Sequence, residues 1–413
     1  MTKTLQANFI AVLSMLVCNS ARGQFVSGSD GSDGAFSPSV NTQIDLSLAT
    51  TAAWDTSSPV PGRGVYDADK WAVVFKYTTI TIPQSVTITF KNHRSGAPVI
   101  WLATGNVIIS GTVGLDGATG APANAIPSFA EPGPGGFSGA RGGTNTTNVQ
   151  SSGGIGPGGG GKSGCSGGGG GYGTNGNGPG SAQGATYGSA ALVPLIGGSG
   201  GGSTDCYGGG GGGGGGAILM AASVSISFSG NISAIGGGWG PSTNSGGGSG
   251  GAIRLVSNSI SGTGNLRAVG GYSPSGNGGD GRIRLEANDI SVLDGGSPPW
   301  TSSFVPGPIF PVANAPQLKA TLVDNVAVPA DPASGILTPD VYISNTGAAT
   351  IHIEAKNVPL GTTVQVRVIP ARGQVINVMS TPLTGTLAQS TASAQVVFPG
   401  NQSEVQLRAN WTP

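Results

Sequence analysis

Four stretches of this chain repeat one another, and that repetition restricts the fold more than any other feature. Residues 96–117 read GAPVIWLATGNVIISGTVGLDG, 215–237 read GGAILMAASVSISFSGNISAIGG, 250–271 read GGAIRLVSNSISGTGNLRAVGG and 281–296 read GRIRLEANDISVLDGG. The last two align without gaps over IRLVSNSIS and IRLEANDIS, identical at six of nine positions. Each copy is two or three short β-rich segments separated by small residues and closed by glycines, a texture that stacks into a solenoid. Gly, Ser and Asn at this density would not hold helices. The expected unit is therefore one coil of a short parallel β-helix with apolar residues stacked inward. With Ile218, Ile253 and Ile283 inward, strand alternation turns Leu219, Arg254 and Arg284 outward, and Ile100 is the matching position of the first copy. Arg254 and Arg284 then lie side by side with Glu286 near enough to relieve their repulsion. The apolar end of that outer row, Ile100 and Leu219, needs a cover.

Between the first two copies lies a glycine-rich insertion, 118–214, which runs on into nine consecutive glycines, Gly208 to Gly216. It reads either as a flexible flap or as a packed sheaf of extended polyglycine segments, whose backbones approach as only glycine allows. In the second reading Phe137, Tyr172, Tyr207 and a Cys165–Cys206 disulfide staple the sheaf, and it folds over the Ile100–Leu219 end. The disulfide follows from cysteine arithmetic. Cys18 belongs to the leader, which leaves an even pair in an oxidising compartment.

That leader is residues 1–23: Lys3 is the positive start, Phe9 to Val17 the apolar run, and Ala21 and Gly23 the small residues before cleavage, so that Gln24 begins the mature chain. The run is too short to span a bilayer, and no later apolar stretch reaches the roughly 20 residues required. Residues 24–70 are a polar, turn-rich arm that caps one end of the solenoid, with a strand-like patch at Ile44 to Leu48. From Trp71 the alternation of WAVVFKYTTITIPQSVTITF predicts half-buried strands, so the β-helix is expected over 71–305. A proline-rich linker, 306–316, leads to 317–413, where QLKATLV, DVYIS, TIHIEA, TVQVRVIP, AQVVF and EVQLRANW recur at about ten-residue spacing. That spacing predicts a small immunoglobulin-like β-sandwich. The fold class is all-β throughout.

Only 9% of the residues are charged and 78 of 413 are glycine. Removal of Lys3 and Arg22 leaves 16 basic against 18 acidic residues, a balance that argues against nucleic acid as a partner. Because β-helices also carry polysaccharide lyases and hydrolases, the acidic and basic residues of the last two copies were weighed as catalytic candidates. These are Asp280, Glu286, Asp289 and Asp294, with Arg254, Arg282 and Arg284 beside them. Asp289 aligns with Ser259 in an expected turn and Asp294 lies in an LDGG turn, so turn chemistry and surface ion pairing are favoured. Asp30 and Asp33 in GSDGSDG match no calcium-loop spacing and read as turn residues. His93, in a loop, and His352, mid-strand, fall in different parts of the chain and suggest surface positions. Trp54, Trp239, Trp300 and Trp411 lie beside turns, where they can stack on sugars or cap a core. No metal or cofactor site is expected.

GSDGSDGAF, IDLSLA, WAVVFKYTTITIP, PVIWLATGNVIISGTVGLDG and GGAIRLV resemble the N-terminal part of secreted, glycine-rich surface proteins of environmental bacteria. NVPLGTTVQVRVIPARG and TASAQVVFPGNQSEVQLRANWTP resemble a C-terminal module found in the same kind of protein. The likeness spans most of the mature chain except the insertion. It implies bacterial export and no particular activity. The expectation is an exported, non-catalytic structural or adhesive protein, secreted or held at the cell surface, with polysaccharide or other surface proteins as partners. The alternative is a β-helix that binds or cleaves polysaccharide. A groove lined by acids and aromatics along the stacked copies would favour the alternative, and a plain Ser/Thr/Gly face the first reading.

Overall fold

The computed structural model describes residues 23–122, 129–142, 152–204, 208–241, 244–293, 295–335 and 338–411. Residues 1–22 of the expected leader, Cys206, Tyr207 and Asp294 lie outside them. The chain is nearly all β, interrupted by two short 3-10 turns at Leu46–Leu48 and Gly180–Ala182. Among the described residues no helix is long and apolar enough to cross a membrane.

The repeat copies lie side by side in parallel register. Strands Ala217–Phe228, Ala252–Gly262 and Arg282–Val292 align Ile218 with Ile253 and Ile283, and Leu219 with Arg254 and Arg284. Val99–Ala103 places Ile100 beside Leu219. The second and third copies each form one long strand followed by a short one, Asn231–Ser233 and Asn265–Arg267, and the fourth a single long strand; the pairing of the first two long strands shifts register between Ala222 and Ser225. Asp289 consequently lies within a strand beside Ser259, not in a turn. One further level precedes the four recognised in the sequence. Val73, Ile80 and Thr87 pair in parallel with Val99, Val107 and Thr112. A second sheet, from Thr42–Asp45 through Thr87–Lys91, Thr112–Gly114 and Asn231–Ser233 to Asn265–Arg267, faces the first. Between them Trp101, Ile218, Ile253 and Leu255 meet Ile88, Val113, Ile232 and Leu266 in one buried core.

The outer side of the first sheet is also covered over half its width. Val74, Ile100, Leu102 and Leu219 are buried beneath Tyr172, Leu192 and Leu195 of the glycine-rich insertion, together with Phe25, Trp54, Ile309 and Phe310. The cover expected for Ile100 and Leu219 is therefore present, and the arm and the proline-rich segment share in it. Ala72–Tyr77 is buried along its whole length for the same reason, where alternation alone predicts a half-buried strand.

The described part of the insertion is ordered by its backbone. Gly210, Gly213 and Gly216 donate to the carbonyls of Ala121, Ala118 and Leu115 at 2.9, 2.9 and 2.7 Å. Gly211, Gly214 and Ala217 donate to Ala140, Phe137 and Pro134 at 3.0, 2.9 and 2.6 Å, while Gly212 and Gly215 donate to Gly246 and Ser249 at 3.0 and 2.9 Å. Every third residue thus faces the same neighbour, the three-residue period of a polyproline-II chain. The carbonyls of Gly212, Gly213 and Gly215 in turn accept from Gly201, Gly237 and Gly198. This is the sheaf, and it also takes in the glycines that close the first three repeat copies. A Cβ built on Gly211 would overlap the carbonyl oxygen of Gly201, and one on Gly214 that of Gly198.

The C-terminal part forms two antiparallel sheets. One runs Val326–Ala327, Gln317–Val323, Ala348–Lys356, Ser390–Val397 and Thr384–Gly385; the other runs Ile376–Pro382, Thr363–Pro370 and Ser403–Ala409. Ile351, Ile353, Val364, Val366, Val368 and Val396 are buried in their common core. Two strand expectations change. DVYIS (340–344) joins no ladder, because the Asp340 carboxylate accepts from the Ala333 N–H at 2.9 and 3.0 Å and faces Arg94 at 3.6 Å, which fixes the segment as a loop. Ile376–Pro382, not foreseen, pairs with Thr363–Pro370. This part packs directly on the sheaf. Ile369, Ala371 and Val375 meet Ile155, Phe129 and Phe137, and Arg367 Nη1 donates to the Gly156 carbonyl at 2.8 Å.

Gly211→Ala and Gly214→Ala should each destabilise the protein by about 3 kcal/mol or more, in the range of severe overpacking. Gly295 has open space around it and no left-handed φ, so Gly295→Ala should be neutral or stabilise by about 0.4–1 kcal/mol. Denaturant unfolding of the three variants beside the parent checks both expectations, and equal effects at all three positions would contradict the sheaf.

Candidate functional site

The charged residues of the last two copies are the natural place to look for chemistry, and the fold disperses them. Arg254 and Glu286 are 1% and 3% exposed. Arg254 Nε and Nη2 donate to the two Glu286 carboxylate oxygens at 3.0 and 3.1 Å. Arg284 Nε adds a contact at 3.3 Å, and the Gly307 N–H donates to Oε2 at 2.6 Å. Glu286 therefore does relieve the Arg254–Arg284 repulsion, under a lid formed by residues 307–310. Both of its oxygens are engaged, which leaves it poorly suited to move protons. Arg282 lies 5.6 Å from the Tyr172 ring centre and donates to the Tyr187 carbonyl. Asp280 accepts from the Gly270 N–H at 3.3 Å within the sheaf. Asp289 is exposed three residues beyond Glu286 on the same strand, about 10 Å away at the usual rise per residue. Among the described residues no acid–base pair is assembled from these groups.

The remaining candidates resolve in similar ways. Asp33 is buried and accepts from the Ser58 hydroxyl and from the backbone N–H groups of Gly62, Gly64 and Lys76, a turn-organising role. Burial pushes the Asp30 carboxyl up, but hydrogen bonds from Ser57 and Ser32 outweigh that and hold it at about 2. His93 is buried rather than on the surface. It stacks on Tyr66 at 4.1 Å, Nδ1 lies 2.8 Å from Ser95 Oγ, and burial lowers its pKa. Tyr66 donates to Asp331 at 2.6 Å, so the cluster ties the N-terminal part to the loop before Asp340. His352 lies in Ala348–Lys356, paired with Ser393. Trp54 packs on Phe310 at 4.8 Å and Trp300 on the core, both as caps. Trp239 sits edge-on to Tyr272 at 5.3 Å, and Trp411 is exposed. Cys165 is exposed beside the Lys162–Ser163/Ser166–Gly167 hairpin; its expected partner Cys206 is outside the described residues.

What remains open is the other half of the first sheet. Past the register irregularity, Ile108, Ser227, Ser261 and Ser291 occupy successive positions in register. They floor a groove of about 410 Å³ that Ser110, Ser229, Thr263 and Leu293 complete. Alternation turns these side chains outward while Ile226 and Ile260 fill the core. Among the described residues no ionisable side chain lines the groove. Sequence reasoning missed it because attention fell on charged residues, although the aligned ISF, ISG and ISV triplets carry it.

A second electrostatic feature lies at the junction with the C-terminal sheets. Glu404 Oε2 is buried without a hydrogen-bond partner, while Oε1 accepts from Gln406 Nε2 at 2.8 Å. Burial pushes this carboxyl up to about 7, against hydrogen bonds from Gln406 and Gly335 and the attraction of Arg367. Two measurements follow. A folded pKa above the unfolded value means that the neutral acid is favoured in the folded state. The contribution is thus fully present below about pH 4.5 and is lost as pH rises through about 7. Glu404→Gln should therefore raise Tm relative to the parent at pH 8 and change it little at pH 4.5, as thermal scans across that window would show. Glu286→Ala, which strands Arg254 in a buried site, should cost about 3–5 kcal/mol by chemical denaturation.

No family model, curated protein or solved structure matches this chain, so its site is read from its own geometry.

Proposed function

We propose that this is an exported, non-catalytic structural or adhesive protein of the extracellular space or cell surface. Its body is a short parallel β-helix of five levels, stiffened by the glycine sheaf and clamped by an immunoglobulin-like C-terminal sandwich, with Cys165–Cys206 as a cross-link. One observation carries the reading. The open face over the stacked copies is lined by serine and threonine hydroxyls with Ile108, Ile109, Leu293 and Phe228, while Glu286 and its arginines are spent on holding the proline-rich segment in place. Cleavage of a polysaccharide would need acids or a base on that face. Rigidity without chemistry suits a protein that spaces or displays a surface.

The expected outcome is twofold. Fractionation of cells producing the full chain should recover it outside the cytoplasm, with an N-terminus at Gln24 by peptide mapping. The purified protein should release neither reducing ends nor unsaturated products from a panel of neutral and anionic polysaccharides. Cytoplasmic recovery with an intact N-terminus would sink the export reading, and product formation would sink the non-catalytic one.

A further inference from the structure

The groove has three properties that together specify what it can hold. First, its hydroxyls are unspent. Ser110, Ser227, Ser229, Ser261, Thr263 and Ser291 make no side-chain hydrogen bond among the described residues. Three serines elsewhere on the same strands are engaged: Ser225 donates to Asn106, Ser257 to the Ala222 carbonyl and Ser223 to Ser27. Each hydroxyl can donate and accept, so the groove offers a dense set of neutral partners of both kinds.

Second, the hydroxyls are periodic. Ser227, Ser261 and Ser291 come from adjacent parallel strands in register, so they recur about every 4.8 Å across the sheet. A row of equivalent groups at that interval runs along the stacking direction, close to the length of one sugar residue in an extended β-linked glycan. It matches a polymer better than a single small molecule. The two middle floor strands, Ala217–Phe228 and Ala252–Gly262, are paired on both sides, so neither has free backbone groups with which to add a peptide strand.

Third, the flanks are apolar. Ile108 is 42% and Leu293 83% exposed, one at either end of the row. They can pack on the C–H faces of sugar rings while the hydroxyls engage the ring edges. Among the described residues no charged side chain lines the groove, and none of them compensates a uronate or sulfate group, whose desolvation would then be unpaid.

We propose that this groove is the adhesive site, and that it holds an extended, uncharged polysaccharide lying across the stacked strands. The proposal rests on the reading of the protein as a non-catalytic exported one and supplies its ligand class. It differs from an aromatic sugar platform in that recognition is by a repeating hydroxyl row.

The test is retention of the purified full chain on insoluble neutral glycans (cellulose, chitin and a β-1,3-glucan), with alginate and polygalacturonate beads as anionic comparison. Retention is expected on at least one neutral glycan, little changed by added salt because no ion pairs are made. Ser227→Asp and Ser261→Asp should weaken it by about tenfold or more, and the milder Ser261→Ala by less. Both positions are on the outer face, so far-UV circular dichroism and Tm should match the parent. Should the aspartates disturb the fold, Ser261→Ala and a bulky Ser291→Leu carry the same test. Absence of retention on every neutral glycan overturns the proposal, as does retention on the anionic beads alone. Retention undiminished in folded groove variants overturns it too. None of these results touches export or the lack of product release, which are measured separately.

Discussion

The fold depends on one interaction, the hydrogen bond between the N–H of one glycine segment and the carbonyl of another. A polyproline-II chain makes none of these bonds internally, so an isolated glycine run would leave every donor to water and stay disordered. In the sheaf each run spends its donors on several neighbours in turn, as Gly208 to Gly216 does with the segments around Ala118, Phe137 and Ser249. Backbones can pack this closely only where no Cβ intervenes. The high glycine content is therefore a requirement of the packing, and the conformational entropy that glycine loses on folding must be offset by the cooperation of many such bonds.

The sheaf and the stacked strands are one construction. The glycines that close the first three repeat copies, such as Gly237 and Gly271, leave the sheets and enter the sheaf. These levels are thereby tied to their neighbours twice, once through parallel strand pairing and once through glycine segments. Tyr172, Leu192 and Leu195 then fold from the insertion onto the outer row of the first sheet, so that row is divided. Its first half becomes a second apolar core, closed at one end by the Arg254–Glu286 pair. A buried ion pair of this kind is weak evidence of stability in itself. Its geometry shows instead a specificity role, because Glu286 also binds the Gly307 N–H and Arg254 the Ile309 carbonyl, fixing where the chain crosses on its way to the C-terminal sheets.

Side-chain periodicity carried the legible part of the sequence. The inward row Ile218, Ile253, Ile283 and the outward row Leu219, Arg254, Arg284 could be placed because identical triplets recur, and from that register came both the Glu286 contact and the need for a cover. The level built from residues 72–91 was not recognised as a copy because it lacks closing glycines and is covered on both sides, so its buried residues do not advertise a repeat. Glycine segments carry no side-chain pattern at all. Their partners are set by backbone geometry, which is why order and flap could not be separated from composition. DVYIS had the alternation of a strand, but the Asp340 carboxylate ties it to Ala333 and Arg94, a tertiary preference that overrides β-propensity. His93 read as a surface loop residue because nothing local reveals that Tyr66 and Asp331 close over it.

This division of labour bears on where function can reside. A glycine sheaf offers neighbours only backbone groups, and those of its interior are already paired, so it cannot present a recognition surface there. The first half of the outer sheet is roofed, and the inner faces form the core. Among the described residues, the surfaces left to meet another molecule include the outer half of the stacked strands, the outer face of the second sheet, the exposed faces of the C-terminal sheets and the Trp239–Tyr272 corner. In the outer half equivalent side chains recur level after level, because the register that buries Ile226 and Ile260 necessarily lines up Ser227 and Ser261. The same alignment that builds the core therefore builds a periodic surface, and the stiffness of the sheaf behind it keeps that period fixed. A partner whose own structure repeats gains one equivalent contact per level at no further ordering cost to the protein, whereas a partner without a repeat gains only one.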